Sequence, residues 1–171
     1  MALAAAALGA NLEEPARQLR EAAAILAQTP GLSLVKASQV YLTAPVGPAG
    51  QNWYHNQAIL YRCELKPREL LRVLLNAETR MGRIRREHWG PRIIDLDLLF
   101  YGDLVLEEPD LTVPHPRLAE RVFVLEPLNE IAPQWLHPVL GLTVAQLWAK
   151  IPLEERTSRR LPDAEKADSE L

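Results

Sequence analysis

Asp95 and Asp97 stand in a run, residues 93–100, whose other members are all isoleucine, leucine or phenylalanine. Aspartate is depleted in strands and costly to bury unpaired, so something nearby should hold these charges. Side chains alternate along a strand, which puts both carboxylates on one face with α-carbons about 6–7 Å apart at about 3.3 Å rise per residue. That spacing lets them converge on one or two hard cations while a ligand supplies the remaining oxygens, an arrangement magnesium prefers with substrate phosphates. A pair facing water on an open sheet is the plainer alternative, and Ile93 and Leu99 on the same face weaken it. Just upstream, RMGRIRREHWGPR (80–92) carries five arginines against one acid, Glu87, in a chain of net charge −3. Arginine's planar, permanently charged fork suits phosphate oxygens, so the local excess points to a phosphate-rich small ligand. Arg92 is the better candidate because Pro91 restricts the backbone ahead of it, whereas Arg85 and Arg86 fit a solvated loop equally well.

The elements around this run must aim it. Leu3–Leu8 favours helix by its alanines, but the abrupt GAN that follows fits a short buried strand ending in a tight turn. A helix is predicted over 13–28, with Pro15 in its first turn and Pro30-Gly31 closing it. Leu32–Thr43 is strand-like, 44–56 is a Pro/Gly-punctuated loop, and 57–64 returns as a strand. Pro67 opens a second helix through Met81, which Gly82 ends. Glu78 falls on that helix's apolar stripe with Leu71, Leu74 and Met81, so it is either paired with an arginine or facing the active site. Ile93–Phe100 is the clearest strand, with Ile94, Leu96, Leu98 and Phe100 all directed into a core, and YGD turns it back into 104–106. Two short helices are predicted near 118–128 and 144–149. The order β-α-β-β-α-β indicates an α+β fold, a ferredoxin-like antiparallel sheet with helices packed on one face, plus a C-terminal helical extension. Residues 1–151 form the expected domain; the charged, aperiodic stretch 152–171 is expected to be a solvated tail.

The totals narrow the class. The chain has 171 residues, 48% of them hydrophobic, which suits one compact soluble domain. Cys63 is the only cysteine, so no internal disulfide can form, and a cytoplasmic, reducing setting fits. MALAAAALGANL lacks a basic leader segment and is too short to span a bilayer. The P-loop and Rossmann glycine patterns are missing, as are H-E-x-x-H and C-x-x-C, which removes those phosphate cradles and a zinc site.

RIRREHWGPRIIDLDLLFYGD followed by LTVPHPRL resembles the signature of the 6-hydroxymethyl-7,8-dihydropterin pyrophosphokinase family of folate biosynthesis. The resemblance runs from ALGANL (7–12) through 38–58 to FVLEPLNEIAP (123–133). It implies transfer of pyrophosphate from MgATP to the pterin's hydroxymethyl group with release of AMP, by a monomer acting on small molecules without nucleic-acid or membrane partners. By the match of motifs, Asp95 and Asp97 would hold two magnesium ions, and Arg83 and Arg92 would bind the triphosphate and stabilise transfer. Arg85, Arg86, Trp89, Leu98, Thr112, His115 and Arg121 would line the ATP site or its closing loop. Thr43, Ala44, Pro45, Val46, Tyr54, Asn56 and Phe123 would form the pterin pocket, where two rings can sandwich a flat heteroaromatic and the amide offers both donor and acceptor. Three positions depart from the family pattern: Pro116 where an aromatic is common, Asp110 where a basic residue can meet the nucleotide, and Ala44 where a second proline is common. Two other functions remain open on the residues alone: a metal-dependent phosphohydrolase using the same D-x-D, and an RNA-binding module on the same fold. The latter lacks the RNP1 aromatics, and its acidic pair would repel a nucleic-acid backbone.

Overall fold

The computed structural model describes residues 1–45, 47, 49–82 and 93–161. Strand β1 (Ala2–Ala10) leads through helix α1 (Pro15–Ala27) to β2 (Leu32–Ala37), β3 (Tyr41–Thr43) and β4 (Tyr54–Cys63). Helix α2 (Pro67–Arg80) precedes β5 (Asp95–Tyr101), and a small hairpin follows, β6 (Leu106–Glu108) and β7 (Leu111–Val113). Helices α3 (Val122–Ile131) and α4 (Val144–Lys150) and a terminal strand β8 (Arg159–Arg160) complete the described chain. The main sheet runs β5-β1-β4-β3-β8, with β2 also on β4, and every pairing is antiparallel. This is the expected ferredoxin-like order, with the fourth position, on the outer edge of β4, divided between β2 and β3. Among the described residues, no helix is long and apolar enough to cross a membrane.

Why do helix-favouring alanines form a strand at β1? The strand is central, bonded to β4 on one edge and β5 on the other, and helices press on both of its faces. Ala4, Ala5, Ala6 and Ala10 are at most 3% exposed. Small side chains let both helical layers approach the sheet closely, so tertiary packing overrides propensity. Ala4, Ala6, Leu8 and Ala10 face a core shared with Leu19, Leu26, Leu70 and Leu74 of α1 and α2. Ala5 faces a second core with Leu125, Leu128, Val144 and Leu147 of α3 and α4. The sheet is therefore covered on both faces rather than one, because the C-terminal helices form a layer of their own.

Strand β5 departs from simple alternation. Ala6 pairs with Leu98 and Ala5 with Phe100, which leaves Leu99 as an extra residue, a β-bulge. Ile94, Leu96 and Leu98 enter the first core as expected, but the bulge turns Phe100 into the second. There Phe100 stacks on Trp135 with ring centroids 5.1 Å apart. Leu99 is fully buried on the second side as well. Asp95 and Asp97 lie on that same side, beyond the end of the α3–α4 layer, where the sheet face opens.

The segment expected to be a solvated tail from 152 is built into the fold as far as Leu161. Arg159 and Arg160 pair with Leu42 and Tyr41, Leu161 donates its N–H to the Val40 carbonyl at 2.8 Å, and its side chain joins the first core. The charged composition misled because arginines here act through their stems and planes: Arg159 lies over Trp53 and Arg160 over Tyr41. Residues 162–171 lie outside the described residues.

Candidate active site

Each element delivers one end to the same place. The N-terminal half of β5 brings Asp95 and Asp97, the C-terminal half of β1 brings Ala7 to Gly9, and the start of β4 brings Tyr54 and Asn56. The exit of β3 adds Thr43 and Ala44, the segment after β7 adds His115 and Arg117, and the N-terminus of α3 adds Arg121 and Phe123. Together these line a cavity of about 370 Å³. Register explains the grouping, since residues directly opposite in an antiparallel pair share a face. Asp95 pairs with Gly9 and Gly9 with Asn56, so one rung of the sheet carries a carboxylate, a gap and an amide in line.

The gap is needed. A Cβ at Gly9 would lie 3.0 Å from Asn56 Oδ1. Asn56 is only 5% exposed, and its Nδ2 donates to Thr43 Oγ1 at 2.6 Å. That bond commits the amide's NH₂ end to the pocket wall and leaves Oδ1 on the Gly9 side, an acceptor for a ligand N–H.

At the other end, Arg121 Nη1 stands 3.9 Å from Asp97 Oδ2, with side-chain exposures of 18% and 32%. The same guanidinium lies 5.5 Å from the Phe123 ring centroid, so one residue joins the charged and aromatic ends of the cavity. His115 is fixed from both sides: its backbone N–H donates to the Leu99 carbonyl at 2.9 Å, and its ring Nδ1 accepts the Arg117 backbone N–H at 3.2 Å. With Nδ1 accepting, the imidazole proton sits on Nε2 and is available as a donor. Burial, reinforced by Arg121, pushes the His115 pKa down to about 4, so the ring is neutral near pH 7.

Thus Thr43, Ala44, Tyr54, Asn56, Asp95, Asp97, His115, Arg121 and Phe123 come together around one cavity. Leu98, Thr112 and Pro45 are not among its lining residues. Leu98 is 5% exposed in the core beneath the opposite face, as its place one residue after Asp97 requires. Val46, Arg83, Arg85, Arg86, Trp89 and Arg92 lie outside the described residues. Sequence reasoning missed Ala7, Leu8, Gly9 and Arg117; a glycine near the end of a strand pattern was the available signal for a close approach. Asp110 makes no part of the lining, because Arg68 on the first turn of α2 bonds it at 2.9 Å and also engages Glu108.

Do the acidic residues fit a metal? Among the described residues no group of three or more His, Cys, Asp or Glu side chains could hold one. Two carboxylates on one strand face, both partly exposed to a cavity, match a magnesium site in which ligand phosphates and water supply most of the oxygens. They do not match a closed structural site.

The family model for 7,8-dihydro-6-hydroxymethylpterin-pyrophosphokinase matches residues 5–133. The 2-amino-4-hydroxy-6-hydroxymethyldihydropteridine pyrophosphokinase of Synechocystis is 46% identical over 140 residues, covering 82% of this chain and 71% of that protein. The Pseudomonas aeruginosa protein of the same name is 39% identical over 158 residues, covering 92% and 96%. The crystal structure of wild-type Plasmodium falciparum HPPK-DHPS superimposes with a TM-score of 0.70 at 18% identity, over 93% of this chain and 44% of that one. The chain thus spans less than half the length of that structure, and the likeness there concerns the fold. On the family match and the two bacterial relatives, the chain belongs to the 7,8-dihydro-6-hydroxymethylpterin-pyrophosphokinase family.

Proposed function

We propose that this protein transfers the β,γ-pyrophosphoryl group of ATP to the hydroxymethyl oxygen of 6-hydroxymethyl-7,8-dihydropterin, releasing AMP, as a step of folate biosynthesis. Family membership supports the reaction. The observation that carries the assignment of residues is one cavity lined by two carboxylates, an arginine, an amide and two aromatic rings.

Asp95 and Asp97 would hold magnesium, two ions by analogy with other two-carboxylate phosphoryl-transfer sites. When bound, these ions supply charge neutralisation and alignment of phosphate oxygens. The chain's own residues do the rest. Asn56 Oδ1 accepts from the pterin's amide-like edge, and Tyr54 and Phe123 hold its ring, which points the hydroxymethyl group along the Gly9 rung toward Asp95. Arg121 leaves Asp97 and takes up charge on the phosphate oxygens, as permanently charged guanidinia do in other phosphoryl transfers. His115 donates Nε2–H to a phosphate oxygen without adding a charge. The hydroxymethyl oxygen bonds to the β-phosphorus as the bond to the α,β-bridging oxygen breaks, AMP leaves with that oxygen, and the hydroxyl proton passes to water. No strong base is demanded by a loose transition state. Arg83 and Arg92, outside the described residues, would bind the triphosphate in this reading, and Trp89 would belong to the ATP site or its closing loop.

Incubation with MgATP and the hydroxymethyl dihydropterin, followed by nucleotide analysis, tests the reaction. AMP formed only when pterin is present supports it. Inorganic phosphate released without pterin would indicate the hydrolase, and salt-sensitive RNA binding without turnover the binding module.

Gly9→Ala tests the assignment of the pterin end. The added methyl must displace an amide held on its far side by Thr43, so pterin affinity should fall about tenfold, within the range of overpacking costs. ATP affinity should change little. Equal loss for both ligands, read by fluorescence titration, would place Asn56 elsewhere in the reaction.

A further inference from the structure

Glu78 is a carboxylate at a core position. It shares the inward stripe of α2 with Leu70, Leu74 and Ala77 and is 3% exposed. An apolar side chain there would contribute to burial, whereas a carboxylate is tolerated only where its oxygens are hydrogen-bonded. One of its bonds is specific: Oε1 accepts the backbone N–H of Leu96 at 2.8 Å.

Leu96 is the residue between Asp95 and Asp97. Among the described residues, strand β5 is the terminal strand of the main sheet, bonded to β1 along one edge. In an antiparallel pair, alternate residues direct their N–H and C=O groups away from the partner. On an edge strand those groups must find partners elsewhere. The Leu96 N–H is one of these outward groups, and Glu78 reaches across from α2 to meet it. The peptide plane joining Asp95 to Leu96 is therefore gripped from outside by Glu78, while on the inner edge Asp95, Leu96 and Asp97 pair in register with Gly9, Leu8 and Ala7. Rotation of that plane would turn the two aspartate side chains relative to each other. Glu78 is not a third metal ligand, because no three-membered acidic group exists among the described residues.

The geometry points to Glu78 as a positioning residue, which holds the Asp95 and Asp97 carboxylates at the separation and angle a divalent cation needs by capping the peptide between them. This rests on the reading that the two aspartates bind the metal. A buried partner that orients first-layer ligands is generally felt in metal affinity itself.

Two substitutions separate reach from charge. Glu78→Gln keeps the reach and an acceptor oxygen but removes the charge; Glu78→Asp keeps the charge but retracts the oxygen by one methylene. The readout is Mn²⁺ affinity by electron paramagnetic resonance, with a non-hydrolysable ATP analogue present, on protein whose folding is checked by thermal unfolding. Glu78→Gln should stay within about threefold of wild type, and Glu78→Asp should weaken Mn²⁺ binding by about tenfold or more, as loss of an outer-layer partner does. The Mg²⁺ concentration needed for half-maximal rate should move in parallel, with pterin affinity unchanged. The reverse order, Glu78→Gln impaired or unfolded and Glu78→Asp intact, would show that charge rather than position matters and overturn the proposal. Wild-type affinity in both variants would overturn it too. Asp97→Asn belongs in the same titration: wild-type affinity there removes the metal reading, whereas loss there with intact Glu78→Asp removes only the role given to Glu78.

Discussion

Asp97→Ala is expected to fold normally and to release AMP at least about 10³-fold more slowly than the native protein, since loss of metal-borne charge stabilisation is worth several kcal/mol of barrier. One described contact of Asp97 bears on stability. Its described counter-charge is Arg121 at 3.9 Å, between two partly exposed groups, and such pairs contribute at most about 1 kcal/mol. Arg121 also retains its place against the Phe123 ring. The substitution therefore separates chemistry from folding. Single-turnover AMP release gives the rate, thermal unfolding gives the stability, and pterin titration without nucleotide should be almost unchanged because Asp97 sits on the Ala7 rung, two residues along from the Gly9 rung that carries Asn56. A rate within tenfold of native would remove Asp97 from the metal site. Restoration of that rate by excess Mg²⁺ would instead leave the assignment standing and reduce the role of this carboxylate to affinity.

How much of this was legible beforehand depends on what each residue's position needed from its partners. Asp95 and Asp97 could be read, because an alternating strand places i and i+2 side chains together whatever the sheet does around it. The strand order could be read for the same reason: hydrophobic period and turn residues are local signals. Phe100 could not. Its direction depends on a bulge at Leu99, two residues past Asp97, that forms only when β5 is laid against β1. The alanine-rich β1 was ambiguous in sequence because its state is decided by two helical layers drawn from distant parts of the chain. Gly9 and Asn56 are 47 positions apart in the numbering, and the gap between them exists only through pairing register. Glu78 was visible as an anomaly on an apolar stripe, but the partner found for it among the described residues includes a backbone group, and backbone partners leave no trace in residue types. The C-terminal segment was misjudged for a related reason: its ladder with β3 is made by main chain, and its arginines look solvated until the aromatic planes beneath them are known.

Truncation after Ile151 should therefore lower stability by about 3–5 kcal/mol, the sum expected from one buried leucine and the charge-assisted bonds lost with it. For a chain of this length that corresponds to a fall in Tm of roughly 10 °C. Two sets of contacts disappear. Arg156 caps the end of α4, with Nε donating to the Ile151 carbonyl and Nη2 to the Trp148 carbonyl, both at 3.0 Å, and its guanidinium lies 4.7 Å from the Trp148 ring centroid. Leu161, 7% exposed, leaves the first core, and β3 loses its outer partner. The second loss reaches the site. Arg160 Nε donates to the Tyr41 hydroxyl at 3.2 Å, and that hydroxyl donates to Glu130 Oε2 at 2.6 Å. Burial and the Glu130 carboxylate push the Tyr41 pKa up to about 12, so the hydroxyl remains a donor at neutral pH. Two residues further along β3 is Thr43, the partner of the Asn56 amide. A loosened β3 should thus raise the pterin KM severalfold while leaving the single-turnover rate at saturating pterin nearly native. Leu161→Ala should reproduce part of the stability loss, about 2–3 kcal/mol for a well-packed leucine, without the change in pterin KM. Should the chain ending at Ile151 melt with the full-length protein, the terminal strand would be an ornament of the fold rather than one of its supports.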